Sequence, residues 1–523
     1  MQFTGHQYIG HQTKGANEAT FTGFDAATGE PLPTRFSEAT AAETDEAAQL
    51  AHRDFSAYSR KSGAEKALFL EAIAAEIMAL GTDLITFAMR ETALPEARLT
   101  GERGRTTGQL HLFAQLLREG SWVNARIDTA QPDRQPLPKP DIRQMLVALG
   151  PVCVFGASNF PLAFSVAGGD TVSALAAGCP VVFKAHPAHP HTCELVAADI
   201  VRAARATNMP EGVFSMVHGV STAVGMALVQ HPHIKAVGFT GSYRGGKAIY
   251  DAAVRRPEPI PVYAEMGSTN PVFFLPGILR EKGDALAAQM AGAIILGAGQ
   301  FCTNPGVFLV AETPEGNRFI EQTAHALNEV STHAMLTGGI RQAYLSGIGS
   351  LRSVPDTELL TDFSDETVRP HLLKTSLAAA LRHLELTEEV FGPSSVAVVA
   401  GSPDGFFDFV RAMPGHLTAT VWGTDADLEH NRALLDALRD KVGRVIVNGF
   451  PTGVEVTHAM TQGGPFPATT DARSTSVGTL AIERFARPVS FQNFPPSLLP
   501  DELKDNNPLG IWRSVNGMPD HMK

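Results

Sequence analysis

The sequence predicts an α/β protein in which a parallel sheet covered by helices on both faces is followed by a second α/β domain. Three observations predict it. The 523 residues exceed what one ordinary hydrophobic core organises. Short uninterrupted apolar runs between about 145 and 270 alternate with helix-compatible stretches, the pattern of strands buried on both faces. The alternation then resumes, less regularly, beyond Asn270.

The elements follow in chain order. Residues 44–120 are rich in Ala, Leu, Glu and Arg and read as helical. In GAEKALFLEAIAAEIMAL, Leu68, Leu70, Ile73 and Ile77 fall near a 3.6-residue period. NARIDTAQPDRQPLPKPD carries four prolines and no periodicity, as in an exposed connection. MLVALGPVCVFGA then reads as a strand-like run, Pro161–Ala177 as a helix-compatible segment and CPVVFKA as a short buried strand. VFSMVHG, IKAVGFTG and IPVYAEMG are further strands, with helices in HTCELVAADIVRAAR, TAVGMALVQH and RGGKAIYDAAVRR between them. Ligands of such sheets bind beyond the carboxyl ends of the strands. Later, LAAQMAGAIILGAGQ reads as a buried helix running into FCTNPG, and SSVAVVAG, ATVWGT and RVIVNG as strands. The tail from Pro495 is rich in Pro, Asn and Asp, which suits a segment wrapped over a neighbour or loosely held.

Composition bounds the function. With 44% hydrophobic and 18% charged residues the chain is globular, and 42 Lys+Arg against 54 Asp+Glu leave a net charge of −12. No basic run exists, which argues against nucleic acid or an anionic membrane as partner, although a few local cations can still attract an anionic substrate. The 4 cysteines form no Cys-x-x-Cys pair, so neither a disulfide scaffold nor structural zinc is expected. The opening MQFTGHQYIGHQTKG lacks an apolar core, and the apolar stretch Met145–Gly169 is interrupted by Pro151, Asn159 and Pro161. The expectation is a soluble cytoplasmic protein.

Several residues have the chemistry for a site. Cys302 lies in a turn after the apolar helix, where a thiol can meet a ligand. Glu265 ends the strand IPVYAE beside a glycine turn, a position for a general base. Asn159 follows the strand VCVFGA, where its amide can donate to an oxyanion. Taken singly, each has a plainer reading: a small buried hydrophobe, a solvated or capping glutamate, and a turn former. Lys184 ends the strand VVF and can meet ribose or phosphate; GFTGSYRGG is a strand–turn–helix unit whose backbone can approach a pyrophosphate, though it is not the G-x-G-x-x-G pattern. His186, His189 and His191 alternate with prolines, which keep the run extended, and no carboxylates accompany it; no metal site is assigned.

In order and spacing these motifs resemble the aldehyde dehydrogenase superfamily: SNFP (Ser158–Pro161), VVFKA with Lys184, GFTGS (Gly238–Ser242), EMGSTNP (Glu265–Pro271), GQFC (Gly299–Cys302) and EEVFGP (Glu388–Pro393). SNFPLAFSVAGGDTVSALAAGCPVVFKAHPAHPHT, HPHIKAVGFTGS and PATTDARSTSVGTLAIERFARPVSFQNFP are similar to its NADP-accepting branch, which holds 2-oxoglutarate semialdehyde (2,5-dioxopentanoate) dehydrogenases and fatty-aldehyde enzymes. The resemblance implies a Rossmann-type cofactor domain at 1–135 and 151–272, a catalytic domain at 273–480, and an oligomerisation flap and tail at 136–150 and 481–523. It implies Cys302 as nucleophile, Asn159 and the Cys302 backbone N–H as oxyanion donors, and Glu265 as the base that activates water. It puts Lys184 at the adenosine ribose, Gly241 and Ser242 at the pyrophosphate, and Glu389 with Phe391 at the nicotinamide ribose. Relatives that prefer NAD often carry Glu three residues after the strand-end lysine; here that residue is Pro187, which removes repulsion toward a 2′-phosphate, while Lys184 and His186 can attract it. The implied enzyme oxidises 2-oxoglutarate semialdehyde with NADP, NAD being possible, as a homodimer or homotetramer. A broad or fatty-aldehyde dehydrogenase of the same branch is the alternative. Two other classes are a cofactor-free thiol hydrolase and a non-catalytic protein of the same fold; nucleotide-dependent thermal stabilisation separates the first, and turnover of a Cys302→Ala variant the second.

Overall fold

The computed structural model describes residues 3–15, 17–330, 334–364 and 366–520, so the outermost residues of the expected first and last segments, 1–2 and 521–523, lie outside it. Its first sheet has the order Val262–Glu265, Ala236–Thr240, Val152–Phe155, Val181–Lys184, Phe214–Val217, Gln7–Ile9, Gln12–Lys14. The first five strands are parallel, and the N-terminal hairpin completes the edge in antiparallel register. Apolar runs here are continuous because both faces are covered: Val152, Val154 and Phe183 enter one core, while Cys153, Val182 and Val237 enter the other.

The second sheet repeats this logic. Its order is Thr357–Leu359, His371–Ser376, Ser394–Ala400, Val307–Ala311, Val272–Phe274, His416–Trp422, Val442–Val447, parallel except at Thr357–Leu359. Phe273, Leu309 and Val398 face one core, and Phe274, Phe308 and Ala397 the opposite one. A third sheet joins Ala486–Gln492, Ile142–Ala148, Arg126–Asp128, Arg513–Val515 and Met518–Asp520. Ala486–Gln492 pairs along its whole length with Ile142–Ala148.

Four elements differ from the sequence reading. The run from Met145 does not form one strand: at Gly150 (φ +137°) and Pro151 the chain leaves the third sheet and enters the first. Pro161–Ala177 is helical only from Gly169, because residues 161–168 fold back on themselves through Ala157 N–H to Phe164 C=O and Gly169 N–H to Ala163 C=O. Leu68 is 55% exposed, whereas Leu70, Ile73 and Ile77 are buried; only the last three lie on the core face of their helix. The described part of the tail is not loosely held: Arg513–Val515 pairs with Arg126–Asp128, and Leu503 and Ile511 are buried with Ile127. Among the described residues no helix is long and apolar enough to cross a membrane.

Candidate active site

The helix Pro276–Ile295 runs up the second domain and is ended by left-handed backbone at Gly297 (φ +57°), Ala298 (φ +56°) and Gly299 (φ +67°). That ending throws Gln300–Cys302 into the cleft between the first two sheets. At Gly299 the choice of glycine is forced twice. Its φ is left-handed, and a Cβ there would stand 2.2 Å from the Gly392 carbonyl. The turn is pinned from below by Asn270, whose Nδ2 donates to the carbonyls of Cys302 and Asn304 at 2.9 Å each.

Glu265 arrives from the other domain, at the carboxyl end of the first sheet's edge strand, and is 3% exposed. The Cys302 thiol lies near enough to act on its pKa as a donor. Ser476 Oγ donates to its Oε2 at 2.5 Å, and Gln462 Nε2 donates to its Oε1 at 3.2 Å. The same Gln462 nitrogen is 3.6 Å from the Cys302 sulfur. Burial raises the Glu265 pKa, and the three donors oppose that rise. Burial, and then the charge of Glu265, push the thiol well above its ordinary value; Arg105 pulls weakly the other way. The thiol is therefore held protonated beside a carboxyl group placed to take its proton.

Asn159 stands over the same turn, its Nδ2 donating to the Gln300 carbonyl at 2.9 Å. An amide carries two N–H bonds, so the second stays available. The Cys302 backbone N–H likewise finds no acceptor among the described residues. Two donors beside one sulfur are what an oxyanion on an attacked carbonyl needs. Cys153, Cys179 and Cys193 are fully buried in the first domain and take no part.

The remaining candidates lie at the carboxyl edge of the first sheet and on the loop that precedes the second-sheet strand Ser394–Ala400. Thr240–Gly241–Ser242 turns into the helix Tyr243–Val254; Ser242 Oγ caps it by accepting from Gly245 N–H at 3.2 Å, and the turn is exposed. Glu389 accepts from Ser268 N–H at 3.3 Å and lies so close to Gly267 that a Cβ there would meet its Oε2 at 2.3 Å. Solvent reaches Glu389 through the cleft, yet the protein around it pushes its pKa up to about 7. Phe391 lines a pocket with Ser268, Phe301 and Glu389. Lys184 donates to the Gly219 carbonyl, and burial lowers its pKa to about 8, which leaves it charged at neutral pH. His186 stacks on His189 at 5.3 Å between ring centres, and burial holds it well below its ordinary pKa. It is thus neutral and can offer a hydrogen bond but not the positive charge expected from the sequence. An exposed helix start and a strand-end ammonium on one sheet edge, with a carboxylate facing them from the second domain, fit a dinucleotide. The structure thus brings Cys302, Glu265 and Asn159 together, with Lys184, His186, Gly241 and Ser242 along the edge of the first sheet and Glu389 and Phe391 on the second domain. The sequence reading had assigned nothing to Gln462, Ser476 or Asn270.

The geometry agrees with comparison to known proteins. The profile of the aldehyde dehydrogenase family matches residues 13–341. The chain is 49% identical to alpha-ketoglutaric semialdehyde dehydrogenase 2 of Azospirillum brasilense over 522 residues, covering 99% of both proteins. It is 46% identical to alpha-ketoglutaric semialdehyde dehydrogenase of Acinetobacter baylyi, covering 98% of both. In fold it is similar to a betaine aldehyde dehydrogenase from Staphylococcus aureus solved with NAD+, with a TM-score of 0.79 at 19% identity, covering 94% of this chain and 96% of that one. The chain belongs to the aldehyde dehydrogenase family, and it is an NAD(P)-dependent oxidoreductase of aldehydes.

Proposed function

We propose that the enzyme oxidises 2-oxoglutarate semialdehyde to 2-oxoglutarate through a thioester on Cys302, using NADP at least as well as NAD. The observation that carries the chemistry is the half-buried Cys302 thiol linked to Glu265 through Gln462 Nε2, which donates to Glu265 Oε1 at 3.2 Å and lies 3.6 Å from the sulfur, beside two unused N–H donors. Glu265 takes the thiol proton as the sulfur attacks the aldehyde carbon. Asn159 Nδ2 and the Cys302 N–H hold the oxyanion. A dinucleotide held by Lys184, Gly241, Ser242 and Glu389 would supply the hydride acceptor for this carbon. Cys302 is then acylated, and Glu265, its proton passed to solvent, draws one from water so that hydroxide attacks the thioester and returns the thiolate. Aldehyde, water and oxidised dinucleotide yield acid, reduced dinucleotide and a proton.

Near end-to-end identity with two alpha-ketoglutaric semialdehyde dehydrogenases supports the substrate. Pro187 where a ribose-binding glutamate would repel a 2′-phosphate, with charged Lys184 nearby, supports NADP. The roles of Gly241, Ser242, Glu389, Phe391 and His186 in holding the dinucleotide belong to the same reading, as do the division into cofactor domain, catalytic domain and flap, assembly as a homodimer or homotetramer through the third sheet, and a cytoplasmic location. Initial rates over a panel of aldehydes with each cofactor test it. The semialdehyde is expected to exceed a medium-chain aldehyde in kcat/KM by at least about tenfold. A medium-chain aldehyde outperforming it supports the fatty-aldehyde alternative instead, and a preference for NAD of about a hundredfold ends the NADP assignment.

A further inference from the structure

The wall of the cleft outside Cys302 is aromatic: Phe160, Phe164 and Phe301 pack as one cluster, with Phe160 and Phe301 edge to face at 5.4 Å. Two cations of the helix Glu96–Glu119 overlie it, Arg98 at 4.4 Å from the Phe160 ring centre and Arg105 at 5.4 Å from that of Phe164. Their hydrogen bonds separate them. Arg98 is paired, its Nη1 donating at 2.7 Å to Glu102, which is buried and also accepts from Leu162 and Ala163 N–H. Arg105 is held at one end only. Its Nη1 donates to the Val454 carbonyl at 2.7 Å, while its Nε and Nη2 are buried and meet no acceptor among the described residues.

Nε–H and Nη2–H form one edge of the guanidinium and match the spacing of two carboxylate oxygens. Buried charged donors without an acceptor are costly, so this edge is built for something outside the chain. Arg444 also lies within electrostatic reach of the Cys302 sulfur, as Arg105 does. Its Nη1 and Nη2 already donate to the carbonyls of Gly453 and Pro451, so only its Nε lacks any partner among the described residues, whereas in Arg105 both atoms of one edge lack one.

We propose that the Nε/Nη2 edge of Arg105 binds the carboxylate at the far end of the substrate, and that this contact makes the enzyme select an anionic aldehyde. The inference rests on the substrate reading above and supplies the residue which that reading lacks. Its test uses the full-length enzyme and Arg105→Lys and Arg105→Met variants, with 2-oxoglutarate semialdehyde and pentanal as substrates. The ratio of their kcat/KM values is expected to fall about a hundredfold in Arg105→Met, chiefly through KM for the anion, and to recover in part in Arg105→Lys, which keeps charge but not the fork. Equal losses for both aldehydes, or an unchanged ratio, overturn it. Glutarate, unreactive and twice charged, serves as a second probe. It is expected to inhibit the wild type in competition with aldehyde, even pentanal, and to do so about a hundredfold more weakly in Arg105→Met. If the wild type prefers pentanal yet glutarate inhibition depends on Arg105, the substrate reading fails and the anion site stands. If glutarate does not compete in the wild type, the site itself is refuted.

Discussion

Ser476→Ala isolates the part of the site that tunes the base. The hydroxyl donates to Glu265 Oε2 at 2.5 Å in a buried setting, and its loss leaves Gln462 and the thiol as the remaining donors. A hydrogen bond to an ionised group is worth roughly 1.5–3 kcal/mol, and a pKa unit corresponds to about 1.4 kcal/mol, so the Glu265 pKa should rise by about 1–2 units. The direction adds to the upward push that burial already exerts. Below the new pKa, each unit costs about a factor of ten in ionised base. The assay is kcat across roughly pH 6 to 9, with the pre-steady-state burst of reduced dinucleotide measured alongside. The acidic limb should move up by about 1–2 units, and deacylation should slow enough to enlarge the burst; Ser476→Thr, which restores a hydroxyl, should bring the limb back. A uniform loss at every pH, with the limb unmoved, would mean that Ser476 only supports its loop, and the account of Glu265 tuning would be wrong.

Other outcomes follow from the same geometry. Asn159→Ala should lower kcat by about 10²–10³-fold, since it removes one oxyanion donor; initial rates at saturating substrate check it, and a loss confined to KM counts against the role. Lys184, with a pKa lowered to about 8, loses its charge as pH rises through that value, so KM for NADP should climb above about pH 8 faster than KM for NAD; parallel pH profiles for the two cofactors would contradict this. Gly299→Ala forces a Cβ onto the Gly392 carbonyl from a left-handed backbone, so melting temperature and Cys302 alkylation rate should both fall; an unchanged melting curve would show that the turn can yield.

The parallel strands were legible because burial on both faces writes them as unbroken apolar runs such as Val181–Phe183 and Val307–Ala311. The same signal misled at Met145, where two strands of different sheets abut and only Gly150-Pro151 marks the change. Leu68 fits a helical period but not the face that the neighbouring helix covers. At the site, Cys302, Glu265 and Asn159 each sit in an ordered motif close to a strand or helix end, so sequence could nominate them. Gln462 lies in irregular backbone outside every motif, Ser476 sits inside PATTDARSTSVG with nothing local to give it a role, and they meet Glu265 from 197 and 211 residues away. Arg105 belongs to no sequence motif; only its missing acceptors in the structure mark it.

The segment that carries Gln462 and Ser476 also clasps the edge strand of the first sheet. Met266 N–H donates to the Ala468 carbonyl at 2.8 Å, Thr470 N–H to the Ala264 carbonyl at 3.1 Å, and Ala264 N–H to Thr470 Oγ1 at 2.9 Å. On its other side Gly415 N–H donates to the Phe466 carbonyl, at the foot of the second sheet. Glu265 is therefore stapled to both lobes at once. The halves cannot swing apart at this seam without undoing the backbone that aims the carboxylate, so substrate must enter and product must leave along the groove and not through a gaping hinge. By the same token, a perturbant that loosens the seam should silence thioester hydrolysis before either lobe melts.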